Sequence, residues 1–215
     1  MKVCKRVLSL VTMIAVAASV TIGATIAPYT DAEEAANTFS VGIGAVKVAE
    51  PEWEKLTDED KILYPGKELL KDPIVKNTGN VALYVFVQVR IPAATVRTVG
   101  EDNVTVSDAE YQPLFSFELE EGFTKLAESG EYTVYGYTRG ALEPGEETTP
   151  LFKSIRFINV LEGDIPEGTE LEVVVSAVGI QKSFLDITQS DDAASTLQEV
   201  FDTYSGELLA ALSES

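Results

Sequence analysis

The chain has 215 residues, with 35 Asp and Glu against 16 Lys and Arg, and a formal net charge of −19. A chain this anionic disfavours binding to nucleic acid or anionic lipid, both of which attract basic surfaces. It contains no histidine and one cysteine, Cys4. These counts exclude a histidine-ligated zinc site, a Ser–His or Cys–His nucleophile and an internal disulfide.

The N-terminus predicts an export signal. Lys2, Lys5 and Arg6 precede an apolar run over 7–26, and small residues lead to an acidic stretch that begins at 29. We predict a signal peptide over 1–27, cut between Ala27 and Pro28, and a single exported domain over 28–215. Pro28 restricts the backbone before it and leaves the cleavage position open. An uncleaved anchor is the alternative, and it also places the rest outside the cell.

The exported part alternates short β-type runs with turn signals, which is typical of a sandwich. The first run covers 39–48, where Phe39, Val41 and Ile43 alternate with small residues. Thr57 and Asp60 have the spacing of a capped helix start and predict a short helix there. Further strands are predicted at 73–76, 81–91, 114–119, 131–138, 151–160 and 169–181, and a loop or polar hairpin at 93–108.

The strand predicted at 81–91 is apolar on both faces, since aliphatic residues alternate with a set that includes Tyr84 and Phe86. This pattern predicts a central strand.

In the run at 131–138, Tyr135 and Tyr137 share one face and Tyr132 lies on the other. Tyrosines in this pattern fill a core or a sheet-to-helix contact, and the alternative is stacking on a sugar.

The period changes near the C-terminus and predicts a helix at about 190–212 that packs on the sandwich. Asp191 and Asp192 suit its N-terminus, and Ser195 with Gln198 has the spacing of a capping box. Its apolar face contains Leu197, Val200, Phe201, Tyr204, Leu208 and Leu212. The predicted fold class is therefore mainly β: a jelly-roll-like antiparallel β-sandwich with a C-terminal helix and short helical insertions.

Carboxylates are the remaining source of chemistry. Two acids at a suitable separation can hydrolyse a glycan, and the acid clusters at 118–121 and 143–147 are candidates, with a solvated surface as the alternative. Calcium takes oxygen ligands, and its candidate ligands are Asp58, Asp60, Asp191 and Asp192. No EF-hand pattern accompanies them.

Several segments occur in an order that resembles the TasA/camelysin family of Gram-positive exported proteins. Two of them, 23–31 and 37–42, lie at the end of the signal and in the first β-type run. The others are Pro65 with Gly66, 72–80, 84–89, 142–152 and 176–181. The match covers most of the chain, and Pro28 replaces the aromatic residue usual in the family after the signal.

This resemblance implies a jelly-roll sandwich, cleavage by a SipW-type signal peptidase, and secretion to the cell surface or biofilm matrix. It implies fibres in which the N-terminal strand of one copy completes the sheet of the next copy or of a related matrix subunit. The donor residues carried over are Asn37, Thr38, Phe39, Val41 and Ile43; the alternative is a first strand paired within its own domain. The family is also described as a metalloendopeptidase, which is one alternative function. A carbohydrate- or protein-binding surface module is the other.

Overall fold

Antiparallel strands and one long helix build the domain. The computed structural model describes residues 43–166, 168–183, 185 and 192–214, with the backbone alone for Ile43, Gly44 and Glu214. These residues belong to one unit, Val41–Ser215. Within them the strands are β1 Ile43–Gly44, β2 Val46–Ala49, β3 Glu68–Leu70, β4 Ile74–Asn77, β5 Leu83–Arg90, β6 Ala93–Val96, β7 Glu110–Pro113, β8 Phe115–Ser116, β9 Phe123–Glu128, β10 Thr133–Tyr137, β11 Ser154–Phe157 and β12 Val174–Gln181. The helix α1 spans Ala193–Glu214.

The strands form two main sheets. A five-stranded sheet has the order β1-β12-β5-β10-β9, and a three-stranded sheet has the order β3-β11-β8. Two ribbons, β2-β4 and β6-β7, complete the described part of the chain. Every described strand pair is antiparallel. The predicted fold class, a mainly β antiparallel sandwich with a C-terminal helix, is confirmed.

Strand β5 is the middle strand of the five-stranded sheet, as its two apolar faces predict. It pairs with β12 along all eight residues and with β10 on its other side. Its odd-numbered residues from Val85 to Val89 face the sandwich core, and Tyr84 and Phe86 belong to the second core, beneath the helix. A strand buried on both faces needs apolar residues at successive positions, so its sequence loses the usual alternation.

Two apolar cores therefore lie on opposite faces of one sheet. Between the sheets, Tyr135 and Tyr137 of β10 pack with residues such as Phe152 and Phe157. Beneath α1, Phe86 contacts Phe201, with ring centroids 6.4 Å apart. The predicted apolar face of the helix is confirmed, since Leu197, Val200, Phe201, Tyr204, Leu208 and Leu212 all lie in this second core.

At the start of the helix, Asp192 lies at the N-terminus as predicted, and the predicted capping box of Ser195 with Gln198 does not form. Asp192 is the cap: its Oδ2 accepts hydrogen bonds from the Ser195 N–H at 3.0 Å and the Ser195 hydroxyl at 2.6 Å. Gln198 instead donates to Asp202 at 2.9 Å. The N–H groups of the first helical turn have no partner within the helix, and the Asp192 carboxylate accepts a hydrogen bond from one of them, that of Ser195. Asp192 rather than Ser195 therefore caps the helix.

Two local predictions for the N-terminal part are corrected. Residues 57–60 form a turn rather than a helix, although Thr57 and Asp60 make the predicted capping contacts, with the Thr57 N–H 2.9 Å from Asp60 Oδ2. The short helix is a 3-10 turn at Trp53–Lys55. The run predicted at 39–48 is broken at Ala45, because β1 and β2 pair with different sheets.

One buried polar atom in the second core gives a stability prediction. The side chain of Gln88 is 2% exposed, and its Oε1 has no hydrogen-bond partner. It is the one buried side-chain oxygen or nitrogen of this kind among the described residues. An unsatisfied buried acceptor costs about 1–3 kcal/mol. We expect Gln88→Met, which keeps the volume, to leave the free energy of unfolding unchanged or raise it by about 1 kcal/mol in urea titrations. A loss above about 1 kcal/mol would contradict this reading of Gln88.

Candidate functional site

The N-terminal strands change sheets at Ala45. Before it, Ile43 and Gly44 pair with Ile180 and Gly179 at one edge of the five-stranded sheet. After it, the four residues of β2 pair with β4 in a separate ribbon. The chain upstream of Ala45 is therefore attached to the domain, within the described residues, by two strand pairs.

Strand β1 pairs near the C-terminal end of β12. Ile43 lies opposite Ile180, and β12 ends at the next residue, Gln181. Of the predicted donor residues, Asn37, Thr38, Phe39 and Val41 lie outside the described residues, as do Ala27 and Pro28 of the predicted cleavage site.

The opposite edge of the same sheet is β9, which pairs with β10 alone among the described strands. Its six residues are interrupted at Leu126 by a bulge in the pairing with β10. Leu126 and Ala127 both pack towards the helix core as a result. The bulge breaks the alternation of side chains along this strand, so the sequence pattern does not predict a strand there.

Hydrogen bonding shows which β9 amides face outwards. The Thr138 N–H donates to the Gly122 carbonyl at 2.7 Å, and Tyr137 lies opposite Phe123 in the same register. Because hydrogen-bonded and non-hydrogen-bonded pairs alternate in an antiparallel ladder, the main-chain groups of Phe123 and Lys125 point away from β10. An edge of this kind can accept another strand.

An apolar cleft of about 620 Å³ lies beside this edge, lined by residues of β8, β9 and β10. Aromatic side chains supply much of its lining, and Phe117 contacts Tyr135 with ring centroids 6.1 Å apart. Tyr111 and Leu119 at the cleft are 71% and 40% exposed. Exposed large apolar side chains around a concave surface indicate a binding site.

A second cleft, of about 490 Å³, lies where β2 diverges from β12. Its wall contains a buried ion pair, with Lys71 Nζ 2.6 Å from Glu50 Oε2 and side-chain exposures of 8% and 18%. The ammonium groups of Lys71 and Lys61 both lie 4.9 Å from the ring centroid of Trp53. The aromatic ring stabilises both cations, and the ion pair joins the segment after β2 to the residue after β3.

The carboxylates proposed as calcium ligands are placed as follows. The hydroxyl and N–H of Thr57 bond to Asp60, and those of Ser195 bond to Asp192; these hydrogen bonds lower the pKa of each carboxyl. Asp191 lies outside the described residues. Within the described ranges no group of three or more carboxylates is close enough to hold a metal ion. Calcium binding stays a prediction.

The acid clusters considered for glycan hydrolysis lie on the surface in pairs with other groups. Glu120 bonds to Lys153 at 2.7 Å and Glu147 to Lys76 at 2.8 Å. The carboxylate of Glu146 accepts the Glu143 N–H at 2.9 Å, which closes a turn. These contacts fit the alternative reading of a charged surface and turn rim.

Comparisons with protein-family models, curated proteins and solved structures returned no match for this chain. The family resemblance therefore stays a prediction carried by the motifs themselves. Within the described ranges, no helix has the length and apolar character needed to cross a bilayer.

Proposed function

We propose that this chain is an exported, non-catalytic structural protein of the cell surface or biofilm matrix of a Gram-positive bacterium. It polymerises by strand addition: the segment 37–44 of one copy pairs with β9 of the next. The observation that carries this proposal is the arrangement of one sheet. The N-terminal strand leaves at one edge, and the opposite edge is unpaired among the described strands and lies beside an apolar cleft.

The donor segment suits the cleft. Phe39, Val41 and Ile43 share one face of an extended strand, and the residues between them are serine and glycine. The segment 37–44 carries no charge, although the chain has a net charge of −19. Insertion would therefore bury apolar side chains of the donor without desolvating a charge on the donor itself. The aromatic lining at Phe117 and Tyr135 offers a matching surface.

The position of the two edges supports an open polymer. A donor at one edge and an acceptor at the other make a heterologous contact, in which each copy uses two different surfaces. Such contacts continue indefinitely when the rotation between copies does not close a ring. Each new strand would extend the five-stranded sheet through main-chain hydrogen bonds, the mode of recognition that strand addition uses.

The test uses the purified chain 28–215, with filaments measured by sedimentation and electron microscopy. Lys125→Pro removes an amide that points outwards from β9 and keeps the bonds to β10, so we expect a folded protein with a sedimentable fraction lower by about tenfold or more. Lys125→Ala is the matched control, since it also loses the 2.7 Å ion pair with Glu128 but keeps the amide. It should polymerise like the unaltered chain.

Two results would overturn the proposal. If the unaltered chain stays monomeric over a wide range of concentration, salt and pH, polymerisation is not its function. If Lys125→Pro is folded by circular dichroism and still forms filaments, β9 is not the acceptor.

A further inference from the structure

The carbonyl of Ala45, where the chain changes sheets, is held by a single neighbouring residue. The Thr78 N–H donates to this oxygen at 2.8 Å and the Thr78 hydroxyl donates to it at 2.9 Å. Two donors from one residue restrain the carbonyl in position and direction. Ala45 is therefore a fixed point on the path of the N-terminal chain.

The turn that carries Thr78 is itself anchored in the core. Asn77 is completely buried, and its Nδ2 donates to the carbonyls of Val81 and Leu142, each at 2.8 Å. Its Oδ1 accepts the Gly79 N–H at 2.9 Å. A Cβ at Gly79 would lie 3.2 Å from Asn77 Oδ1 and 3.5 Å from the Ala45 nitrogen, so a side chain there would press on the Asn77 amide beside Ala45. The turn has little freedom to move.

Among the described residues, the chain makes fewer strand pairs before Ala45 than after it. Upstream, the β1 contact consists of two pairs, one of them between Gly44 and Gly179, which have no side chains to pack. Downstream, β2 makes four pairs with β4, and Val46 and Val48 pack against the sandwich core. Separation of the N-terminal chain from its own domain should therefore stop at Ala45.

We propose that the turn 77–79 is the pivot of an N-terminal arm, which ends at Ala45 and exchanges between its own β12 and a neighbouring copy. This inference rests on the proposed function and adds a positioning role for Asn77, Thr78 and Gly79. The turn determines how many N-terminal residues of one copy can pair with the next copy, and the direction in which this segment leaves its own domain. Exchange of an identical element about a fixed hinge is a low-cost route to assembly.

Disulfide locks on either side of Ala45 test the pivot, because the only natural cysteine is Cys4, in the predicted signal. Cross-strand partners are close enough for a disulfide. Ile43→Cys with Ile180→Cys, the arm lock, ties the arm to β12, and Lys47→Cys with Lys76→Cys ties β2 to β4 as the matched control. Oxidation of the arm lock should lower the sedimentable fraction by about tenfold or more, and reduction should restore it. Oxidation of the control pair should have no effect.

Hydrogen exchange of the monomer tests the same pivot without filaments. Amides before Ala45 should exchange about tenfold faster, or more, than those of Val46–Ala49. Gly79→Ala should raise exchange in Val46–Ala49, whereas Gly130→Ala, whose Cβ would meet nothing within 4 Å, should not.

The outcomes separate this inference from the proposed function. If the unaltered chain forms no filaments, the proposed function is wrong, and the pivot is then tested by hydrogen exchange of the monomer alone. If filaments form and the oxidised arm lock does not block them, the arm does not leave β12 and the pivot is wrong. Equal exchange on both sides of Ala45 would also overturn it.

Discussion

A chain that begins at Ile43 should fold to the same domain and form no filaments. The deletion removes the donor residues up to Val41 and leaves every described strand and helix in place. Since both cores consist of residues from 46 onwards, the melting temperature should change by no more than about 2 °C. Sedimentation and electron microscopy measure the loss of filaments, and calorimetry measures the stability.

A shorter deletion is the matched control. A chain that begins at Asn37 loses the acidic segment 28–36 and keeps the donor residues, so it should polymerise. A deletion through Val48 would not test the same point, since it removes most of β2 and two core valines. Filaments from the chain that begins at Ile43 would contradict strand addition by the N-terminal segment.

Loss of the buried lysine should have the largest effect on stability. Lys71→Met leaves the carboxylate of Glu50 without its partner in a site where the two side chains are 8% and 18% exposed. Removal of one member of a buried pair costs about 3–5 kcal/mol, and the partial exposure of Glu50 places the expected loss near the lower end, about 3 kcal/mol. Urea unfolding measures it. The exposed pair of Lys76 and Glu147 is the control, and Lys76→Met should cost less than about 1 kcal/mol.

A double variant separates the ion pair from simple packing. If the penalty comes from an unpaired carboxylate, adding Glu50→Leu to Lys71→Met should recover most of the lost stability, because two apolar side chains replace the pair. If the double variant instead loses as much stability as Lys71→Met and Glu50→Leu lose together when made singly, the two side chains act independently. That result would contradict the claim that the ion pair between Lys71 and Glu50 stabilises the domain.

The elements with clear periodicity were predictable from the sequence. Strand β5 and helix α1 have apolar patterns that match their burial. Tyr135 and Tyr137 of β10 lie in one core and Tyr132, just before β10, packs against the other, as their spacing indicates. At the start of the helix the sequence offered both Asp192 and Ser195 as capping residues, and the hydrogen bond from the Ser195 N–H to Asp192 decides for Asp192. Local patterns cannot resolve such a choice when two acceptors lie within one turn.

The edges of the sandwich could not be predicted. Strand β9 contains a bulge that breaks its alternation, and the three residues of β3 lie in a polar stretch of sequence. The cleft beside β9 gathers residues such as Ile91, Tyr111 and Tyr135 from distant positions. No spacing rule joins such residues, since their proximity follows from the pairing of strands remote in the sequence.

By itself the sequence determined an anionic, histidine-free, mainly β chain with an amphipathic C-terminal helix, and its N-terminal pattern predicts export. Composition and short-range periodicity depend on neighbouring residues, so they can be read directly from the chain. Only the tertiary structure decided where the N-terminal strand changes sheets, which sheet edge remains unpaired among the described strands and which turn holds Ala45. These features arise from contacts between residues far apart in sequence, such as Ala45 with Thr78 and Ile43 with Ile180, which burial of the two cores brings together.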